Sequence, residues 1–252
     1  MNTIGYDFKD PFLDVGELRI ALRLSTESNV YCPSPEFVEL SSSPEQFGLK
    51  SSRLSAAGGQ IASEGSLELS VRREGGRYVI SARGSHPAEK CLSLVILIRG
   101  LPVQAIVSES ANMGKHVFHE RSGIGPIHYP GRQVTMPLVI LETENDEWFV
   151  LSKDDKVRQK SFAAYDDPLK DERVVVIAHR EDRRRWGHEI ELPEWHVGRV
   201  FSRAEIVEER CKDLENWFGH IPFERDDALS WVDKLQIVVN FHGEHWTGHL
   251  FH

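Results

Sequence analysis

The run Leu92 to Ile98, LSLVILI, is almost continuously apolar and β-branched, and only a central strand covered on both faces accommodates such a segment. It stands inside a long series of short strand patterns separated by turn residues. In Glu17 to Leu24, ELRIALRL, Leu18, Ile20 and Leu22 alternate with Arg19, Ala21 and Arg23, the pattern of a strand with one wet face. Leu67 to Val71 and Tyr78 to Ala82 flank REGGR, whose glycines supply the positive φ of a tight hairpin. Pro137 to Leu141 and Trp148 to Leu151 form a second hairpin around an acidic connection, and RVVVIAH at 173–179 adds another strand. Helical periodicity is almost absent before Asp182. The expected fold is therefore mainly β, an antiparallel β-sandwich over 1–182.

A linker follows, expected over 183–222. Within it the spacing predicts a helix from Arg203 to Phe218. Ser202 and Glu205 form a capping box, Val207, Cys211, Leu214 and Phe218 make the apolar stripe, Gly219 ends the helix, and Pro222 prevents its continuation. Trp186 and Trp195, in a Gly- and Pro-punctuated stretch, are read as plugs of a domain interface, with sugar stacking as the alternative.

The 252 residues are 40% hydrophobic and carry a formal net charge of −9, so a sizeable core can form and the chain has no overall attraction to nucleic acid. Arg183, Arg184 and Arg185 are the only compact basic run, and beside Glu181, Asp182 and Glu189 they read as a solvated loop. Cys32, Cys91 and Cys211 have no C-x-x-C spacing and are odd in number. Reduced thiols are expected, with Cys91 and Cys211 as small core residues. The N-terminus shows no basic region followed by an apolar core, and no segment approaches the ~18 apolar residues of a membrane span, so the expectation is a cytoplasmic protein without membrane contact. No serine sits in G-x-S-x-G. The glycines at 123, 125 and 131 do not make a dinucleotide fingerprint, and His116, His119, His128 and Glu120 are a weak metal set because His116 and His119 fall on opposite faces of a strand.

The C-terminal stretch Gln236 to His252, QIVVNFHGEHWTGHLFH, reads as a buried strand whose polar face ends in Asn240 and His242, followed by a loop rich in His, Trp and Gly. Such a strand is what a (β/α)₈ barrel would begin with, its active-site groups projecting from the strand end. Trp231 to Gly243, WVDKLQIVVNFHG, with the capped helix before it, resembles the N-terminal portion of large bacterial glycoside-hydrolase-like proteins, in which a galactose-mutarotase-like β-supersandwich is joined by a helical linker to a catalytic barrel. The resemblance implies that 223–252 is the truncated start of that barrel and that the chain is a fragment. It implies a non-catalytic role supporting the sugar site, carbohydrate as ligand, and the missing barrel as partner. Asn240, His242, His245 and Trp246 would then line the sugar-binding mouth, Trp by stacking and the others through hydroxyl hydrogen bonds. Catalytic residues are not assigned, since Glu244 is a single carboxylate and glycosidic hydrolysis needs two. No cofactor is expected on this reading. On a second reading, His242, His245, His249 and His252, spaced 3, 4 and 3 apart, hold zinc in a stand-alone β-sandwich metalloprotein, although H-E-x-x-H is absent. A third reading is a sugar-binding or protein-interaction module.

Overall fold

The computed structural model describes residues 11–108, 114–120, 122–131, 134–167 and 172–219. The chain divides into one unit, Met1–Asp213, and a second, Leu214–His252, of which 214–219 are described. Alternating or continuously apolar runs form sixteen strands among the described residues: β1 (Leu13–Asp14), β2 (Arg19–Thr26), β3 (Val30–Pro33), β4 (Val38–Ser42), β5 (Gln46–Ala56), β6 (Ile61–Glu74), β7 (Arg77–Ser85), β8 (Cys91–Arg99), β9 (Ala105–Ser108), β10 (Lys115–Val117), β11 (Ile124–Tyr129), β12 (Leu138–Glu142), β13 (Glu147–Ser152), β14 (Lys160–Asp167), β15 (Glu172–Arg180) and β16 (Glu189–Arg199). Helix α1 (Arg203–Phe218) follows. Among the described residues no helix is long and apolar enough to cross a membrane.

The strands run antiparallel in the order β10-β9-β12-β13-β16-β7-β6-β5-β3-β2-β8-β15-β14-β11, with β1 added beside β2 and β4 beside β5. Short β3 pairs with β5 on one side and β2 on the other, so the ribbon folds there and its two halves face each other. Its far ends, β10 and β11, are consecutive in sequence, and His119 bridges Gly123 between them. The ribbon is nearly closed, which leaves few free edges.

One core fills the space between the halves. Leu22, Ile96, Phe162 and Ile177 from one half meet Leu67, Val71, Ile80 and Val197 from the other. The expected elements are present where the local pattern was strong. β8 lies between β2 and β15. Gly75 and Gly76 close the β6–β7 hairpin with φ of 56° and 80°, and β12 pairs with β13 around the acidic connection. The far face of β2 is not simply wet, because Ala21 packs with Phe12, Leu97 and Val174.

The sheet does not stop at 182. The segment read as a connection carries β16, which pairs with β13 on one side and β7 on the other. The register between β16 and β7 shifts between Leu192 and Trp195, placing a bulge at Pro193, which has no N–H to give to a ladder. The extra residue is why Leu192 and Trp195, three apart, both point into the core. Trp195 is therefore a core residue of the sandwich, packed edge-on to Phe162 across the two halves at 5.9 Å, and offers no exposed stacking face.

Helix α1 has the predicted bounds and cap. The Glu205 N–H donates to Ser202 Oγ at 3.3 Å, and Gly219 takes φ of 77°. Its buried face differs from the predicted stripe: Ile206 and Arg210 are buried, Val207 is half-buried and Cys211 is exposed. Ile206 packs on the outer face of the sheet against Leu138, Ile140 and Phe149. The phase is one residue off because the helix also docks by burying an arginine, which a purely apolar stripe does not register.

Replacing Trp195 by alanine should cost about 3–5 kcal/mol, since it opens a cavity between the halves that the bulged strand cannot collapse into. Urea unfolding checks this through a lowered midpoint at unchanged slope.

Candidate functional site

The register of five neighbouring strands builds a row of charges on the outer face of the sheet. Glu39 on β4 lies opposite Lys50 on β5, Lys50 opposite Glu68 on β6, Glu68 opposite Arg83 on β7, and Arg83 opposite Glu191 on β16. The signs alternate along the whole row. Lys50 Nζ reaches Glu68 Oε1 at 2.7 Å, and Arg83 Nη2 reaches Glu191 Oε2 at 3.4 Å. The hydrogen bond and charge of Glu68 raise the Lys50 ammonium above its ordinary value. Opposite charges directly across strands support the sheet, while exposure keeps each pair weak.

Beside this row runs a row of small residues, Ser41, Gly48, Ser70 and Ser81, paired across four of those five strands, β4 to β7. Gly48 keeps the floor low: a Cβ there would come within 2.5 Å of Ser41 Oγ. Long charged side chains next to a floor of hydroxyls leave an open groove of about 500 Å³, lined by Glu39, Ser41, Lys50, Glu68, Ser70, Ser81, Arg83 and Glu191 among others. It offers donors, acceptors and hydroxyls on one surface, and among the described residues no aromatic side chain lines it. Such a surface suits a polyhydroxylated ligand held by hydrogen bonds rather than by stacking.

Two further clusters contain groups capable of chemistry. Buried His86 lies 2.9 Å from Ser63 Oγ through Nε2, an arrangement that superficially suggests a nucleophile and its base. Its Nδ1, however, accepts the backbone N–H of Glu89 at 2.9 Å and of Ala88 at 3.3 Å. The neutral ring therefore carries its proton on Nε2 and donates to Ser63, so it cannot take a proton from that hydroxyl. Tyr31 stacks on the same ring, with centroids 5.2 Å apart, and the cluster is a structural clamp.

The second cluster is charged and closed. The side chains of Asp154 and Lys160 are fully buried and ion-paired. Arg158 grips the same carboxylate with Nη2 at 2.6 Å and Nε at 3.0 Å, and reaches Glu181 at 2.9 Å. Arg210 donates from the helix to the Asp154 carbonyl at 3.2 Å. Burial alone would push the Asp154 carboxyl up, but hydrogen bonds from Arg158 and Lys160 bring it below the usual carboxylate range. His179, opposite Lys160, is wholly buried, with neither ring nitrogen hydrogen-bonded among the described residues. Burial, then the charges of Lys160 and Arg158, lower it to about 3. On the outer face Arg77 donates to His196 Nδ1 at 3.3 Å, and burial with the nearby Lys153 and Arg77 lowers that ring to about 4. Lys153, in turn, holds Glu209 and Asp213 of the helix at 2.6 Å each.

Asn240, His242, His245 and Trp246, and the alternative zinc ligands His242, His245, His249 and His252, all lie outside the described residues. So does most of the expected domain division past Gly219. Among the described residues no group of three or more His, Cys, Asp or Glu is placed to hold a metal, and His116, His119 and His128 form no such set. Arg183, Arg184 and Arg185 make an exposed turn, as expected of a solvated loop. Cys91 is buried and its thiol is pushed up to about 11 by burial, so it is inert as a nucleophile. The charge row was not found from sequence because its members, 39, 50, 68, 83 and 191, come together only through strand register.

Neither a family model nor a curated protein matches the sequence. Among solved structures, the chain is similar to the galactose mutarotase related enzyme from Lactobacillus acidophilus, with a TM-score of 0.37 and 8% identity, covering 72% of this chain and 83% of that one. At that identity no residue role carries over.

The two lowered histidines contribute to the pH response above the carboxylate range. Each is neutral in the fold and protonates in the unfolded chain near 6.5, so unfolding takes up protons between roughly pH 4 and 6.5 and stability falls as pH drops through that window. Above it their contribution is level. His179→Leu should flatten the slope by up to about 1.4 kcal/mol per pH unit between pH 4 and 6 while leaving the fold intact at pH 7.5, because it removes two buried polar atoms lacking partners. Urea midpoints measured across that range decide it, and an unchanged slope would show that His179 is not buried neutral.

Proposed function

We propose that residues 11–213 act as a non-catalytic, carbohydrate-binding β-sandwich and that the groove along Glu39, Lys50, Glu68, Arg83 and Glu191 is the contact surface. The observation supporting this is the alternating charge row over a floor of serine hydroxyls and Gly48, a rigid surface of donors and acceptors at the spacing of neighbouring strands, ~4.8 Å. Vicinal hydroxyls of a sugar ring can bridge a cation and the adjacent carboxylate, each exchanging water for a charge-assisted hydrogen bond. The absence of aromatic residues from the lining limits apolar contact, so affinity is expected in the ~mM range per site.

The surface does not favour hydrolysis. Glycosidic cleavage needs one carboxyl kept as a proton donor, usually in apolar surroundings, opposite a second carboxylate. Here the carboxylates stand in open solvent, each opposite a cation. The ancillary role, supporting the sugar site of a following barrel whose mouth would include Asn240, His242, His245 and Trp246, belongs to the same proposal and rests on the sequence pattern of those residues.

A panel of soluble oligosaccharides titrated into the full chain and followed by NMR should shift amides of β4 to β7. Ser70→Tyr, which fills the floor on a solvent-facing position, should weaken binding at least tenfold without altering the far-UV spectrum. Aryl glycosides should not be hydrolysed above background. Binding that is indifferent to Ser70→Tyr would place the sugar elsewhere, and turnover abolished by Glu244→Gln would show the chain to be an enzyme in its own right.

A further inference from the structure

Among the described residues, strand β4 is an open edge of the ribbon. It pairs with β5 alone among the described residues, and Glu39, Leu40, Ser41 and Ser42 are all exposed. The hairpin fixes which of its backbone groups are free. Ser43 N–H donates to Gln46 C=O at 2.8 Å, so in the antiparallel ladder Ser41 and Glu39 also bond towards β5. Val38, Leu40 and Ser42 consequently aim their N–H and C=O groups away from β5. Natural edges are commonly blunted by lysine, an internal proline or a bulge. VELSS has none of these, and Pro35 and Pro44 lie just outside it.

We propose that β4 is the seam of a symmetric dimer in which a second copy of this chain adds its own β4 antiparallel. A two-fold axis through Leu40 places Leu40 opposite Leu40 of the second copy, Val38 opposite Ser42 and Glu39 opposite Ser41. This register uses every outward backbone group, since the residues it sets in hydrogen-bonding pairs, Val38, Leu40 and Ser42, are the three whose N–H and C=O groups point away from β5. It also satisfies charge: each Glu39 meets a serine hydroxyl across the seam and keeps Lys50 on its own side, so no carboxylate faces a carboxylate directly. Leu40, 38% exposed at the rim of the inner face, gains an identical apolar neighbour. The contact is isologous and closes, so it ends at two chains instead of growing a fibre. An extended segment of some other protein would use the same backbone groups, but nothing in it would make Leu40 and the Glu39–Ser41 pair self-complementary.

Sedimentation velocity of the full chain over a concentration series tests this. The wild type should dimerise. Leu40→Pro deletes an N–H that β5 does not use, a substitution an edge strand tolerates, and should leave a folded monomer. Ser41→Lys, set opposite Glu39 twice in the dimer, should tighten association about tenfold, and Ser41→Glu should loosen it by a similar factor. A wild type monomeric throughout would overturn the proposal. So would a dimer unchanged by a folded Leu40→Pro, or equal effects of the two Ser41 variants.

Discussion

Strand β16 holds the larger half of the ribbon together. It lies between β13 and β7, and without it the strands β10-β9-β12-β13 would share no ladder with β7-β6-β5. A proline in such a central position is normally excluded, because it interrupts the hydrogen-bond ladder. The bulge at Pro193 resolves the conflict and, by inserting one residue, turns both Leu192 and Trp195 inward. Trp195 then reaches Phe162 in the opposite half, so one local irregularity supports both the lateral continuity of the sheet and its closure on the core.

The buried charged cluster beneath the helix is organised around a single carboxylate. Asp154 receives Arg158 and Lys160 from the β13–β14 connection and the next strand, while its carbonyl receives Arg210 from the helix. Removing one member of such a set leaves the rest buried without compensation, which is costlier than never having had the set. The cluster thus specifies where α1 rests more than it adds net stability. Glu209 and Asp213, bound by Lys153, extend the same contact over the outer face. The histidines nearby, His179 and His196, are held neutral by burial first and then by the cations around them.

The part of the outer face over β4 to β7, away from the helix, carries no comparable buried cluster, and there the outward side chains are free to vary. Its charge row and serine floor cost little, since strand pairing fixes the spacing whatever the outward side chains are. That freedom explains why the groove can be polar, shallow and rigid at once, and why the adjacent edge strand can point backbone groups away from β5 among the described residues.

Sequence alone determined the elements whose signal is local. The alternation of β2, the apolar run of β8, the Gly75–Gly76 hairpin and the Ser202-capped helix each depend on neighbours a few residues away, and each is present. β16 was hidden because a bulge breaks period-two alternation and Pro193 and Gly187 imitate a loop. The helix phase was missed because Arg210 is buried by partners more than fifty residues distant. The groove was invisible for the strongest reason: Glu39, Lys50, Glu68, Arg83 and Glu191 are ordinary surface charges until register aligns them. Local hydrophobic period decides which segments become strands, but pairing order and register, set by burial across the whole chain, decide which residues share a surface.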